Sequence, residues 1–238
     1  MHWLKQGNKC KFQDLEREKI MMKEKIIEAA IWRSAIKVFD TEKKISDDDF
    51  NFLLEIARYS PSSFGLEPWN LLVLQNKELR EAIIPYATGA QNQLRTASHF
   101  VVFTVKKNLH PESEYFKHIN MDVKGMDISA YNNFISNFSG FMENKQQVHN
   151  SREMIDWAGK QSYIALGNMM NAAALLGIDS CPIEGFFAKE VEDILDKSGQ
   201  FNSNIDKIVV MGAFGYRGEE PKHKKARRSM NEVVHFVN

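Results

Sequence analysis

The chain has 238 residues, 43% of them hydrophobic, and its 31 basic side chains balance its 31 acidic ones. That length supports one sizeable domain, and the charge balance argues against a polyanion-binding surface spread over the whole protein, nucleic acid included. Only two cysteines, Cys10 and Cys181, occur, far apart and in no CxxC pattern. They argue against a disulfide scaffold or zinc site and fit a reducing, cytoplasmic compartment. No run of about 18 apolar residues predicts a membrane span, and no apolar signal-peptide core is expected at the N-terminus.

Residues 1–22 are polar and basic with little periodicity, and read as a disordered or peripheral extension ahead of a single domain at 23–238. From Lys23 to Trp32 the pattern predicts a helix with Ile26, Ile27, Ala30 and Ile31 on one stripe. Ser46 with Asp49 three residues on resembles a capping box, opening a helix over Asp47–Arg58 whose apolar face is Phe50, Leu53, Leu54 and Ala57. Residues 59–69, Tyr-Ser-Pro-Ser-Ser-Phe-Gly-Leu-Glu-Pro-Trp, form a shaped loop because proline, glycine and serine dominate it. Taken alone, it fits either a surface turn or a wall for a planar polar ligand. A strand is expected over Asn70–Leu74, an amphipathic helix over Lys77–Tyr86, and a buried strand over Phe100–Val105. Residues 108–150 read as an excursion with a helix near Met126–Glu143. Asp156–Leu176 is a long helix, apolar on most of its surface, and must be buried inside the subunit or against a partner. Strands are expected over Ser180–Ile183, Ile208–Ala213 and, at the tail, Val233–Val237. Without regular βαβα alternation, the fold class is α+β.

Metal-ligand motifs and phosphate loops are missing from the sequence. Gly212-Ala-Phe-Gly215-Tyr-Arg-Gly218 lacks dinucleotide spacing and reads as a loop after a strand. Arg33 and Lys37, four apart, share a face if the preceding helical turn continues. Lys222–Arg228 is the densest basic run. Each cluster alone fits a solvated surface; together they could clamp one phosphate. In Pro182-Ile-Glu-Gly-Phe186, Gly185 permits close backbone approach, and Glu184 fits an acid–base or a surface role. Cys181 before Pro182 reads as a packing cysteine.

Five segments in order then carry a resemblance: Arg33-Ser-Ala-Ile-Lys-Val-Phe-Asp40, Tyr59-Ser-Pro-Ser-Ser63 with Pro68-Trp69, Ala97-Ser-His99, Pro182-Ile-Glu-Gly185 and Lys225-Ala-Arg227. Spanning about 24–236, they resemble the flavin-dependent nitroreductases, in the oxygen-insensitive NAD(P)H branch. The resemblance implies an α+β homodimer with a mostly antiparallel sheet, a long buried dimer helix and FMN at the subunit interface. It implies ping-pong transfer of hydride from NADH or NADPH to the flavin N5, then to a nitroaromatic, quinone or similar electrophile, with the flavin carrying the redox chemistry and no catalytic side chain required. It assigns Arg33, Ser34, Lys225 and Arg227 to the phosphate end and Lys37 to the pyrimidine edge. Pro61, Ser62 and Ser63 line the flavin, partly from the partner subunit, and Asn92 and Gln93 lie near its edge. The backbone N–H groups of Glu184 and Gly185 face N5 and O4, where donors stabilise the anionic reduced ring. Phe64 and Phe141 are candidates for the acceptor site, with core packing as the other reading of each. Ser34-Ala35 stands where the family often has His-Ser, and Gly65 and Glu67 where many members have Asn and Gln. An FMN store or sensor with little turnover, and a sister reduction of enones or a dehalogenation, are the alternative functions.

Overall fold

The computed structural model describes residues 3–237, with side chains from residue 16 onward; residues 1 and 2 of the expected N-terminal extension lie outside the described residues. Its centre is one four-stranded sheet of β1 (Trp69–Val73), β2 (His99–Lys106), β3 (Asp179–Ile183) and β4 (Asp206–Gly215), in the order β1-β2-β4-β3 with every pair antiparallel. β2 sits centrally because it is apolar on both faces. Phe100 and Val102 point into one core while Val101 and Phe103 point into the other, all fully buried.

Helices cover both faces. α1 (Trp3–Trp32) starts twenty residues before the expected Lys23. The earlier stretch is rich in Lys, Glu, Gln and Met, which suit a helix but show no apolar face to read. The expected stripe is exposed, as are Ile20, Met21, Met22 and Trp32. α2 (Asp47–Arg58) begins where its cap predicts: Ser46 Oγ accepts from the Asp49 N–H at 3.1 Å and donates to the Asp49 carboxylate at 2.7 Å. α3 (Lys77–Ile83) runs into a 3-10 turn at Ile84–Tyr86, and α4 (Gln91–Thr96) precedes β2. The excursion holds α5 (Glu114–Lys117), a π-helical turn at His118–Val123 and α6 (Ile128–Asn144). α7 (Ser151–Leu175) lies across the sheet with Trp157, Leu166 and Met169 buried, each side chain worth about 1.5–3 kcal/mol of burial. Its Tyr163 and Ile164 remain exposed, as does Leu175 at its C-terminal end. α8 (Ala188–Lys197) and α9 (Met230–Val233) complete the described helices.

Three further expectations change. The tail expected as a strand over Val233–Val237 is instead the end of α9 followed by irregular chain, and no strand among the described residues lies beside it to accept its ladder. The strand expected over Ile208–Ala213 runs on to Gly215, so the start of the segment read as the following loop belongs to β4. A Cβ on Gly212 would lie 3.0 Å from Leu166 Cδ1, so the glycine lets α7 pack close. The turn after α1 does not continue as helix: residues 33–40 run irregularly, with isolated bridges from Ala35 to Ser180 and from Phe39 to Arg217.

Candidate functional site

The end of α1, the 33–40 segment and the C-terminal run meet at the β3 edge. Phe39 pairs with Arg217, Asp40 N–H donates to Tyr216 O at 2.8 Å, and Gly218 N–H donates to Val38 O at 3.0 Å. A Cβ on Gly218 would sit 3.0 Å from the Phe39 backbone, a tight contact that glycine avoids. Arg217, to which the glycine-bearing segment around it assigns no role, locks the junction. Its Nη2 donates to Asp179 Oδ1 at 2.8 Å, its Nη1 to Glu220 Oε2 at 2.8 Å, and its guanidinium stands 4.4 Å from the Trp32 ring centroid. The nearly fully buried Asp179 is thus paired, as a buried carboxylate must be.

Between these segments lies a cleft of about 730 Å³ whose walls include Arg33, Ser34, Lys37, Asn92, Lys225 and Arg227. Lys225 Nζ donates to Ala30 O at 2.6 Å. Its pKa is lowered by partial burial and then by the charges of Arg33 and Arg227 beside it. None of Arg33, Lys37, Lys225 and Arg227 pairs with a carboxylate among the described residues. Glu219 and Glu220 also line the cleft, Glu220 paired with Arg217, but the cations outnumber them, and such an excess suits an anion such as a phosphate monoester.

Contacts run inward from the cleft wall to Gln93, which is itself buried and does not line the cleft. Lys37 Nζ lies 3.6 Å from Cys181 Sγ, and Gln93 Nε2 reaches the same sulfur at 3.5 Å and Gly89 O at 3.2 Å. Cys181 is fully buried, in keeping with its reading as a packing residue. The Glu184-Gly185 turn follows β3. Gly89 N–H donates to Gly185 O at 2.8 Å, and a Cβ on Gly185 would stand 3.1 Å from Gly89 N and Cα, so the close approach here is backbone to backbone. Neither the Glu184 nor the Gly185 N–H has an acceptor among the described residues. The Glu184 carboxylate accepts from Tyr163 Oη at 2.7 Å. Burial, then that carboxylate, raises the Tyr163 pKa.

Pro61, Ser62 and Ser63 are not in this cleft. The Ser63 N–H donates to Gln161 Oε1 at 2.8 Å, Asn168 Nδ2 donates to Ser60 Oγ at 3.0 Å, and Ser62 Oγ accepts from the Glu67 N–H at 2.9 Å. Gln161 and Tyr163, two positions apart on α7, point to roughly opposite sides of it. One holds the 59–69 loop and the other the Glu184 turn. Phe64 and Phe141 meet edge to face at 4.9 Å, within a cluster that includes Phe134 and Phe138. The structure therefore gathers Arg33, Ser34, Lys37, Asn92, Gln93, Glu184, Gly185, Lys225 and Arg227 in one region, and Pro61, Ser62, Ser63, Phe64 and Phe141 in another. Gln161, Tyr163 and Arg217 escaped sequence reading because a lone polar residue on an apolar helix, or one arginine after a strand, carries no spacing signal.

Among the described residues no helix is long and apolar enough to cross a membrane, and no cluster of metal-ligating side chains occurs. Residues 30–216 match the family model described as "Nitroreductase family". A Staphylococcus epidermidis protein named as an NAD(P)H nitroreductase is 48% identical over 216 residues, covering 91% of this chain and 98% of that one. Among solved structures, one described as an NAD(P)H:FMN oxidoreductase of S. epidermidis superposes with TM-score 0.73 at 22% identity, covering 89% of this chain and 95% of its own. A second, described as a nitroreductase of Exiguobacterium sibiricum in complex with FMN, superposes with TM-score 0.70 at 21% identity, covering 89% and 97%. At such identities these two likenesses show the fold.

Proposed function

The chain belongs to the nitroreductase family, and on that premise we propose that it is an FMN-dependent NAD(P)H oxidoreductase that reduces nitroaromatics, quinones or similar electrophiles. The observation that carries the cofactor assignment is the cation cluster of Arg33, Lys225 and Arg227, mutually repulsive and in no ion pair with a carboxylate among the described residues. Such a cluster is costly unless a dianion joins it. The residues present fit FMN: the three cations and Ser34 would hold its phosphate, and Lys37, Asn92 and Gln93 would face the edge of its ring. The free Glu184 and Gly185 N–H groups would donate to the ring atoms that become electron-rich on reduction.

Bound FMN would supply the redox chemistry, accepting hydride from NAD(P)H and passing electrons to the acceptor. The chain's own task is to bind and orient. The Tyr163 hydroxyl and the Gly89–Gly185 contact fix the turn that carries the two N–H donors. Arg217 fixes the segment that carries the phosphate-binding cations.

The second part of the reading is a homodimer. The 59–69 loop and the Glu184 turn are held from different sides of α7, so on this reading a second copy would bring its loop to the first copy's cleft. Exposed apolar side chains supply a surface for that copy: Ile20, Met21, Ile27 and Ile31 on α1, and Tyr163, Ile164 and Leu175 on α7. The flavin assignment is tested by titrating flavin-free protein with FMN and with riboflavin. Tight FMN binding with much weaker riboflavin binding supports it; equal or absent binding of both rejects it.

A further inference from the structure

Phe64 has φ 56° and ψ 11°, and Glu67 has φ 44°, left-handed values that bulky L-residues avoid. Only one other non-glycine residue with positive φ, Gln147, occurs among the described residues. Strain of this kind persists only where the surroundings over-determine it. Here they come from the excursion. Lys124 Nζ donates to the Phe64 carbonyl at 2.8 Å and to Asn120 Oδ1 at 2.8 Å. Asn120 is fully buried and donates through Nδ2 to Phe116 O at 2.8 Å, so the lysine is tethered to fixed structure. The ammonium also stands 5.4 Å from the Phe134 ring centroid, and Phe134 itself meets the Phe64 ring at 5.7 Å. Tyr115, also of the excursion, donates its hydroxyl to the carbonyls of Leu66 and Glu67. Burial lowers the Lys124 pKa, against the opposing charge of Glu67.

We propose that Lys124 is a positioning residue that sets acceptor specificity. By holding Phe64 in the left-handed conformation it fixes the aromatic wall formed with Phe141, which favours flat, fully conjugated ring acceptors over puckered electrophiles. This rests on the reading of 59–69 as a wall of the flavin site. Without the tether Phe64 can relax to negative φ, which swings its ring away from the present edge-to-face packing.

The test uses the flavin-loaded full chain with Lys124→Met, and with Lys124→Gln, which keeps a donor for the Phe64 carbonyl and supplies the comparison should the first variant not fold. Steady-state constants are measured with 1,4-benzoquinone and with cyclohex-2-enone, alongside the rate of flavin reduction by NAD(P)H and amide exchange over residues 63–67. For Lys124→Met the KM for benzoquinone should rise roughly three- to tenfold while that for cyclohexenone moves less than about twofold, the size of one lost aromatic contact. Flavin reduction should be unchanged and exchange over 63–67 faster, with Lys124→Gln intermediate. Unchanged exchange, or faster exchange with no selective rise in the benzoquinone KM, overturns the proposal. Wild-type protein that takes up no FMN instead rejects the flavin reading, and the proposal falls with it.

Discussion

Replacing Lys225 by Met keeps the apolar stem of the side chain and removes its charge. In the ligand-free protein the change costs little. The bond from Nζ to Ala30 O lies in the exposed last turn of α1, where water can replace it, and loss of the ammonium relieves repulsion from Arg33 and Arg227. Folding stability should therefore change by no more than about 0.5 kcal/mol. FMN binding should lose one charge-assisted hydrogen bond, about 1.5–3 kcal/mol in a closed site and nearer the lower figure in this open cleft. That corresponds to a roughly tenfold weaker Kd. The assay is quenching of FMN fluorescence on titration with flavin-free protein at low and high salt. The gap between wild type and variant should narrow as salt shortens the reach of the charges, from about 10 Å at 0.1 M to about 3 Å at 1 M. Riboflavin, which has no phosphate, should bind both proteins alike. An unchanged FMN Kd, or an equal loss for riboflavin, would refute the placement of the phosphate.

Light scattering at micromolar concentration should give a dimer, and Ile164→Glu, which buries a charge if α7 meets a second copy, should shift it to monomer and weaken FMN binding; a wild-type monomer that holds FMN contradicts the two-chain site. Phe138, buried against Phe64, Phe116 and Trp157, should lose about 3–5 kcal/mol of stability on replacement by Ala, read from urea unfolding. His99, stacked on Phe50 at 3.8 Å, has its pKa lowered to about 4 by burial and then by the charge of Arg80. Between its ordinary value of 6.5 and about 4 the unfolded chain binds a proton that the folded chain refuses, so stability falls as pH drops through that window. His99→Gln should flatten this fall in melts run at pH 7 and pH 5; an unchanged slope would show that His99 does not cause it.

The sequence made the fold legible where a local signal and a global need agree. Ser46 and Asp49 mark the start of α2, and the apolar run around Phe100–Val105 marks a strand buried on both faces. α4 was missed because it is six residues long and has no polar cap. α8 was missed although Val191 and Leu195 form a buried i, i+4 pair, since Phe187 at its N-cap gives no start signal. Val233–Val237 looks like a strand by composition, but a strand needs a neighbour and the described chain offers none. Within the candidate site, Arg33, Lys37, Lys225 and Arg227 were legible as charges whose convergence only the fold supplies. The strain at Phe64 was not legible, because nothing in Ser-Phe-Gly says that the phenylalanine adopts the left-handed geometry together with the glycine. Nor could spacing show that Gln161 and Tyr163, on different sides of α7, hold the 59–69 loop and the Glu184 turn apart.

On the proposed function the chain holds FMN and passes electrons through it. Anaerobic addition of NAD(P)H to purified protein, followed by a nitroaromatic, tests it most directly in one cuvette. A yellow protein that bleaches on the first addition and regains its colour on the second is expected. A yellow protein that never bleaches would make it a flavin store, and protein that stays colourless after incubation with FMN would contradict the account altogether.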